Sequence, residues 1–507
     1  MVEILKKNIG LLLFIFIIGI SSRLPLVEKM QSHWDGPQYS IAILNYSLEQ
    51  ETPAPPGYPL YIALAKVFYI FIGDPHQALL IISILAAGLG GVVVFLAGGK
   101  IFNKKVGVIS SLLFLSGPTF YFFSLTAYAY SLTPIIATCF ALIVFQIINK
   151  KILSGLLLGA IFSFALGFRI QDAFFLTPLF ILGLYYLSMK EKIMAVLGFT
   201  ILSLGWFIPL LIVVGGFEKY IEISKNFASS GALPGLSLSH IKMTIETLVK
   251  GVFLSFGISS LSLAYYIYTL TKKSSTKNLR YIVLFACWIL PSFLFNLFIR
   301  SDHAGHQMTY LSGVLLLIAY ALCNLTRKNT KLLWPVVTLC LVFNLYTFFR
   351  DRDPQNIKPY IPTSFHYSEI RKNDTRMSSK IKYVRENYNP ENTIILTTSE
   401  LWRPYMYYLK NYQVLGLDGL TTNNYTHKSI RRESYMWGTT TSYSTTDHLQ
   451  FKRIYEYIIL LGNEESIILK NIIFKEVRTK ANGRITIIDL NKESELHYGY
   501  NTIKYIK

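Results

Sequence analysis

The chain has 507 residues, of which 52% are hydrophobic, 15% are aromatic and only 15% are charged. Soluble domains carry roughly a quarter charged residues, so this composition excludes an ordinary soluble protein and predicts an integral membrane protein. The formal net charge of +20 comes from short Lys and Arg clusters between apolar runs. That distribution is typical of cytoplasmic loops, and it argues against a nucleic-acid partner, which would need a basic face on a soluble module.

Apolar runs long enough to cross a bilayer, roughly 17–25 residues each, recur through the first part of the chain. They predict a polytopic α-helical membrane protein with about eleven transmembrane helices, at residues 8–22, 78–99, 106–126, 127–149, 154–168, 173–187, 193–214, 251–270, 281–299, 307–325 and 332–349. The first run follows Lys6 and Lys7 and has no small-residue cleavage pattern after it. It is therefore predicted to be a membrane anchor and not a signal peptide.

Basic clusters follow every second predicted crossing, at residues 6–7, 100–105, 150–151, 190–192, 272–280 and 327–331. Under the positive-inside rule they predict a cytoplasmic N-terminus. The opposite side then holds the loop 27–77, the junction 169–172, the loops 217–250 and 300–306, and the whole tail after residue 350. The chemically interesting residues are thus expected to be extracytoplasmic.

The outer segments have internal structure of their own. In loop 27–77, residues 39–46 and 58–72 are predicted to form interfacial helices, separated by Pro55-Pro56-Gly57. The loop 217–250 has an apolar side and a flexible stretch, which is typical of a surface loop or of a lid. The polar tail contains strand patterns at 393–398, 412–417, 457–461 and 484–490 and a Ser-capped helix at 399–410. We therefore predict a membrane domain at 1–350 and a small extracytoplasmic α/β domain at 351–507.

Asp35 is the leading catalytic candidate. It follows Trp34 in the first outer loop, close to the membrane surface. Partial desolvation among aromatic residues could raise its basicity and suit it to deprotonate an acceptor hydroxyl. The alternative is a helix cap, because Asp before Gly36-Pro37 is a common start of a helix.

Arg169 ends one predicted span and Asp172 begins the next. The two could pair as a clamp that holds a helical hairpin together. Alternatively, the guanidinium could bind a phosphate, for which its planar, multidentate donor set is well suited.

The outer loop 300–306 contains Arg300, Asp302, His303 and His306, and Tyr310 lies one turn into the next span. Three interpretations stand side by side: binding of an anionic head group, a metal site, or a loop that merely anchors two helices. The Asp-His-x-x-His spacing alone is weak evidence for a metal.

Residues 55–61 read Pro-Pro-Gly-Tyr-Pro-Leu-Tyr, and residues 104–124 resemble the segment with which the family enters its third span. With Asp35 in the first outer loop, these features resemble the GT-C glycosyltransferases, polytopic membrane enzymes that have interfacial helices in that loop and often a soluble C-terminal domain. The likeness is strongest to the protein O-mannosyltransferases and the aminoarabinose transferase of lipid A. It implies a GT-C fold.

The resemblance also implies an activity: transfer of a sugar from a polyprenyl-phosphate donor, held among membrane lipids, to an extracytoplasmic protein, lipid or glycan, with inversion at the anomeric carbon. Asp35 would deprotonate the acceptor. Tyr39 and Tyr58 would line the sugar pocket. Arg169, or the cationic residues of loop 300–306, would stabilise charge on the departing lipid phosphate.

Two departures from the family pattern bear on metal binding. Many relatives have Asp-Glu where this chain has Asp35-Gly36, and many have an acid in the second outer loop, where residues 126–130 have none. A divalent metal cofactor is therefore disfavoured, and Asp35 is expected to act as a lone base.

Two other classes of function compete with the transferase. A lipid-linked sugar or polysaccharide transporter, or a flippase, would use the outer charges only to gate a head group. The absence of charge deep within the predicted spans argues against ion coupling but not against passive scrambling. The third possibility is a membrane-anchored binding or scaffold protein whose working part is the tail.

Overall fold

The computed structural model describes residues 2–151, 154–230, 245, 248–249, 251–272, 279–298, 304–350, 366–417, 433–436, 439–442, 448–451, 455–461, 475–491, 495–498 and 501–505. The chain packs into two units. The first contains Met1–Val27 and Asn45–Glu369, and the second contains Glu28–Leu44 and Ile370–Lys507. The sequence predicted one boundary near residue 350, whereas in the structure part of the first outer loop packs with the C-terminal residues.

The described α-helices, in chain order, are Val2–Ser21 (α1), Asp35–Leu44 (α2), Pro59–Ile72 (α3), Pro75–Ile101 (α4), Lys104–Ser116 (α5), Pro118–Leu125 (α6), Thr133–Ile148 (α7), Gly155–Phe168 (α8), Asp172–Tyr185 (α9), Met189–Val214 (α10), Phe217–Ser230 (α11), Leu261–Lys272 (α12), Leu279–Phe298 (α13), Met308–Leu325 (α14), Leu333–Phe349 (α15), Tyr367–Asn387 (α16) and Ser399–Tyr408 (α17). The helices α2, α16 and α17 belong to the second unit, although α16 begins in the first.

Eight helical segments of the described chain are long and apolar enough to cross a membrane: Asn8–Leu26, Pro75–Ile101, Ala129–Ile148, Met189–Val214, Gly251–Tyr268, Leu279–Phe298, Gly305–Leu325 and Thr330–Phe349. The bent pair α5 and α6 makes a ninth if it counts as one span. The protein is therefore an integral, polytopic membrane protein. The predicted count of eleven stays a prediction, because α8 and α9 have 14 residues each and span only about 21 Å.

The bend between α5 and α6 follows from the pair Gly117-Pro118. Proline lacks a backbone N–H and disfavours the helical conformation in the residue before it. Gly117 accordingly has φ −62° and ψ 122°, and the two helices meet at 56°. A Cβ at Gly117 would lie 2.7 Å from the Ser255 carbonyl oxygen, so only glycine permits this close approach.

The segment between α2 and α3 is a tight loop. Ser47 and Thr52 bond to each other through both backbone N–H groups, at 2.7 and 2.8 Å. Gly57 ends the Pro-Pro-Gly turn with φ +98°, a conformation that glycine adopts without steric cost. The Tyr220 hydroxyl of α11 donates to the Pro56 carbonyl at 3.3 Å. The predicted separation of two helices at this turn is confirmed.

The helix α11 has the apolar side that the sequence predicts. Tyr220 is buried beside Leu48, and Ile221 and Ile223 pack against the same small cluster. Residues 231–235 of the predicted flexible stretch lie outside the described residues. The described part of loop 217–250 is thus a surface helix that packs on the loop before α3.

The second unit contains a five-stranded sheet with the order β2-β1-β6-β8-β7. The strands of the unit are Thr393–Thr398 (β1), Gln413–Leu417 (β2), Glu433–Met436 (β3), Thr439–Ser442 (β4), His448–Phe451 (β5), Tyr457–Leu460 (β6), Lys475–Thr479 (β7), Gly483–Asp489 (β8), Glu495–Tyr498 (β9) and Asn501–Tyr505 (β10). β1 is parallel to β2 and β6, and β8 is antiparallel to β6 and β7. The four predicted strands and the helix after the first of them are confirmed.

The core of this unit lies between the sheet and its helices. Ile41 of α2 packs in it with Met377 of α16 and Trp402 of α17. Residues 393–397 of β1 are buried, as expected of a parallel strand covered on both faces. The smaller sheets have the orders β5-β10-β9 and β3-β4. The helix α2 is thereby an integral part of an α/β unit formed mainly by the C-terminal residues.

Candidate active site

Asp35 is the first residue of α2 and is half-buried. The N-terminus of a helix carries a partial positive charge, which favours an ionised carboxylate. A general base must be ionised before it can accept a proton. The position therefore stabilises the helix and is compatible with either role predicted for Asp35, a helix cap or a general base.

The residue before Asp35 is held by the C-terminal helix α17. The Trp34 ring lies 6.1 Å from the Trp402 ring, centroid to centroid. The Arg403 guanidinium stacks 4.2 Å from the Trp402 centroid and 5.6 Å from the Trp34 centroid. Arg403 is only 1% exposed, and a cation over desolvated aromatic faces contributes more than one in water. This cluster fixes the backbone that leads into Asp35.

A second set of bonds holds the residues before Trp34. The backbone N–H groups of Lys29 and Met30 both donate to Asp374 Oδ1 at 2.9 Å. The Gln31 N–H donates to the Tyr408 hydroxyl oxygen at 2.8 Å. Burial raises the pKa of Tyr408, so its hydroxyl stays protonated. The entry into α2 is thus tied to both α16 and α17.

The two tyrosines predicted to line the sugar pocket are both buried. Tyr39 lies on α2, one turn after Asp35, and belongs to the second unit. Tyr58 is the N-terminal flanking residue of α3 and belongs to the first unit. Their role in binding a sugar stays a prediction.

In the first unit, Arg169 and Asp172 form a buried ion pair, with 3.1 Å between Nη1 and Oδ1. The hydroxyls of Thr133 and Thr309 approach the same carboxylate, at 3.5 and 3.4 Å. Arg169 Nη2 also donates to the Gln171 side-chain oxygen at 3.1 Å. The carboxylate therefore ties together the starts of α7, α9 and α14. This geometry fits the predicted hairpin clamp.

Tyr130 contacts both Arg169 of this ion pair and His306. The Arg169 guanidinium lies 4.9 Å from the Tyr130 ring centroid. The Tyr130 hydroxyl lies 3.3 Å from His306 Nε2. Tyr310 is fully buried, and its hydroxyl donates to the Gln307 side-chain oxygen at 3.0 Å. The structure thus brings together the predicted residues Arg169, Asp172 and His306. Tyr310 follows His306 by four residues and is buried.

Arg300, Asp302 and His303 lie outside the described residues. Within the described part of the chain, no three His, Cys, Asp or Glu side chains converge in a way that could hold a metal ion. The predicted binding roles of loop 300–306 therefore rest on the sequence and on His306.

Comparison with solved structures gives a long match to ArnT from Cupriavidus metallidurans, both in the apo state and bound to undecaprenyl phosphate. Each comparison has a TM-score of 0.54 and 11% sequence identity, over 82% of this chain and 86% of that one. This chain has the GT-C fold. The resemblance predicted from the first loop is confirmed at the level of fold.

A weaker match is to the apo oligosaccharyltransferase of Archaeoglobus fulgidus, with a TM-score of 0.47 and 12% identity over 80% of this chain and 64% of that one. Neither a family model nor a curated protein sequence matches the chain.

Sequence reasoning missed the residues that hold the candidate site in place. Trp402, Arg403 and Asp374 lie in the tail, which the sequence assigned to a separate domain. Tyr130 lies in the run 126–130, which drew notice only for its lack of an acid. The one signal available was the pair Trp402-Arg403 within the predicted helix at 399–410, because an arginine next to a tryptophan can stack on its ring.

Proposed function

We propose that this protein is a membrane glycosyltransferase that moves a sugar from a polyprenyl-phosphate donor to an extracytoplasmic acceptor, with inversion. The observation that carries the proposal is the GT-C fold with Asp35 at the start of the helix after the first membrane segment. The ArnT structure that contains undecaprenyl phosphate supports a lipid-phosphate donor. The acceptor class, protein, lipid or glycan, follows from the family resemblance. The cytoplasmic N-terminus and the extracytoplasmic tail follow from the basic clusters between the predicted spans.

In the proposed reaction, the Asp35 carboxylate accepts the proton of an acceptor hydroxyl. The acceptor oxygen forms a bond to the anomeric carbon, and the bond from that carbon to the phosphate oxygen breaks. The electron pair leaves with the polyprenyl phosphate, so the anomeric configuration inverts. A positioned general base contributes typically 10²–10⁴-fold to such a step.

Charge on the departing phosphate needs nearby donors. Asp172 neutralises Arg169 within a buried pair, which makes that guanidinium a weaker phosphate ligand than an uncompensated cation. We therefore assign the leaving phosphate to loop 300–306, through Arg300, His303 and His306. Arg169 and Asp172 are assigned to holding the starts of α7, α9 and α14 together.

The test compares Asp35→Asn with a matched aspartate. Asp74 is the N-terminal cap of α4, and its carboxylate accepts from the Gln77 N–H at 2.8 Å. Asparagine caps helices about as well as aspartate, but it cannot act as a base. Purified protein in lipid nanodiscs would be incubated with undecaprenyl-phosphate sugars and cell-envelope extract, and transfer would be followed by mass spectrometry.

We expect Asp35→Asn to lower transfer by about 10²-fold or more while Asp74→Asn keeps it. Equal activity of the two variants would show that Asp35 is only a cap. Loss of donor from one leaflet of wild-type vesicles without any sugar transfer would instead indicate a transporter.

A further inference from the structure

Two buried glutamines of the second unit differ in their hydrogen bonding. Gln31 precedes α2, Gln38 lies within it, and each is only 1% exposed. Gln31 is satisfied: its Nε2 donates to the Ser40 hydroxyl at 2.8 Å, and that hydroxyl lies 3.0 Å from its Oε1. Gln38 differs, because among the residues that the structure describes no donor or acceptor reaches either its Nε2 or its Oε1.

A buried amide without partners is costly to a fold. Buried side-chain polar groups are nearly always hydrogen-bonded, because an unsatisfied one loses its hydrogen bonds to water without replacement. An apolar side chain of the same size would serve the packing of α2 better. The amide of Gln38 therefore calls for an explanation other than stability.

The position of Gln38 on α2 suggests that its amide binds a ligand. It follows Asp35 by three residues on α2, and residues at this spacing lie on the same face of a helix. Tyr39, also buried, follows Asp35 by four residues, a spacing that places it on the side of α2 that carries Asp35. A ligand that reaches the Asp35 carboxylate would approach this face.

The hydrogen-bonding groups of the amide indicate which chemical groups a ligand would present to it. Its NH₂ group donates two hydrogen bonds and its oxygen accepts two, which matches hydroxyl groups that both donate and accept. A phosphate offers only acceptors and would leave the amide oxygen unpaired. We propose that Gln38 is a substrate-binding residue that hydrogen-bonds hydroxyl groups of the transferred sugar. This assignment rests on the proposed transferase function.

The first experiment measures stability with a matched pair of substitutions. Gln38→Met and Gln31→Met both replace a buried glutamine of the same segment by an apolar side chain of similar size. The Tm of Gln38→Met should equal or exceed that of the wild type, because an unsatisfied group is removed. The Tm of Gln31→Met should fall, because Ser40 loses its partner. A fall in Tm for Gln38→Met as large as that for Gln31→Met would overturn the proposal, since the amide would then be structural.

The second experiment measures function on the same purified variants. With an accepted undecaprenyl-phosphate sugar, kcat/KM of Gln38→Met should fall about tenfold or more, whereas binding of undecaprenyl phosphate without a sugar should stay unchanged. Wild-type transfer rates in Gln38→Met would reject the sugar contact and leave the proposed function standing. Weakened binding of undecaprenyl phosphate would reject it too, since the contact would then be to the lipid phosphate. If the wild type transfers no sugar from any donor, the proposed function itself fails and the sugar assignment fails with it.

Discussion

At the scale of single residues, one side chain, the Asp172 carboxylate, holds the starts of three helices together. Removing it in Asp172→Ala would leave the buried Arg169 charge without its counterion and two threonine hydroxyls without their acceptor. We expect a loss of about 3–5 kcal/mol of stability, because breaking one partner of a buried pair leaves the other charge uncompensated. Thermal unfolding in detergent measures this loss.

The control for that measurement is an exposed ion pair of the same unit. Lys219 Nζ lies 2.9 Å from Glu49 Oε2, but the two side chains are 46% and 61% exposed. Lys219→Ala should change stability by only about 0–1 kcal/mol. Equal effects of the two substitutions would show that the Asp172 cluster contributes no more than a surface contact.

His33 gives the second unit a dependence on pH. Burial lowers the pKa of His33 below its ordinary value of 6.5, and the charge of Glu28 opposes this shift. Since the folded-state pKa lies below the unfolded one, the unfolded chain binds the proton more readily. The stability that the neutral imidazole provides is complete above about pH 6.5 and is lost as the pH falls through the folded-state pKa.

We therefore expect the Tm to fall as the pH is lowered below about 6.5, and to fall less steeply in His33→Gln. Because groups distant from residue 33 titrate alike in both proteins, the difference between the two curves reports on His33 and its interaction with Glu28. Parallel curves would contradict the assignment.

At the scale of elements, the entry into α2 depends on one acceptor in α16. Asp374 accepts the N–H groups of Lys29 and Met30 and also pairs with Arg371 at 3.1 Å. Asp374→Ala should speed amide hydrogen exchange at Lys29 and Met30 and lower sugar transfer, because the approach to Asp35 loses its anchor. The expected loss of stability is about 2–4 kcal/mol for two bonds to a charged acceptor.

Arg371→Ala is the matched control, because it removes the partly exposed ion pair and leaves both backbone bonds in place. Its effect on exchange at Lys29 and Met30 should be small. If Asp374→Ala leaves exchange and transfer unchanged, α2 is held by its apolar contacts alone.

Local sequence patterns predicted most individual elements well. The apolar run at 78–99 forms α4, the β-branched run at 393–398 forms β1, and Ser399 begins α17. These elements follow from residues close together in sequence, so periodicity and capping were sufficient. The bend at Gly117 was not foreseen, since a single apolar run covered both α5 and α6.

What the sequence could not predict is the partner of α2. The bond from the Met30 N–H to Asp374 joins residues 344 positions apart, and no local pattern encodes such a contact. The same holds for Trp34 with Arg403 and for the link from Tyr130 to His306. Asp35 could be predicted as a candidate from its neighbours in the sequence. The residues that hold it in position could be identified only from the three-dimensional structure.

At the scale of the whole molecule, the GT-C fold and the grouping of α2 with the tail have a joint consequence. The candidate catalytic acid lies on a helix whose core partners, Met377 and Trp402 among them, come from the C-terminal residues. The tail is therefore expected to be required for catalysis. The alternative that the tail alone is the working part of a scaffold assigns no role to Asp35.

Truncated chains distinguish a transferase that requires its tail from a scaffold whose working part is the tail. A chain ending at residue 350 keeps every candidate membrane helix but lacks α16, α17 and the five-stranded sheet. Ile41 and Trp34 would lose their packing, so we expect the truncated protein to insert into membranes and to lose transfer by about 10²-fold or more. A chain ending at residue 491 keeps α16, α17 and that sheet and lacks only β9 and β10, so it should stay active. Membrane fractionation and the transfer assay measure both properties, and wild-type transfer by the shorter chain would show that α2 is positioned without the tail.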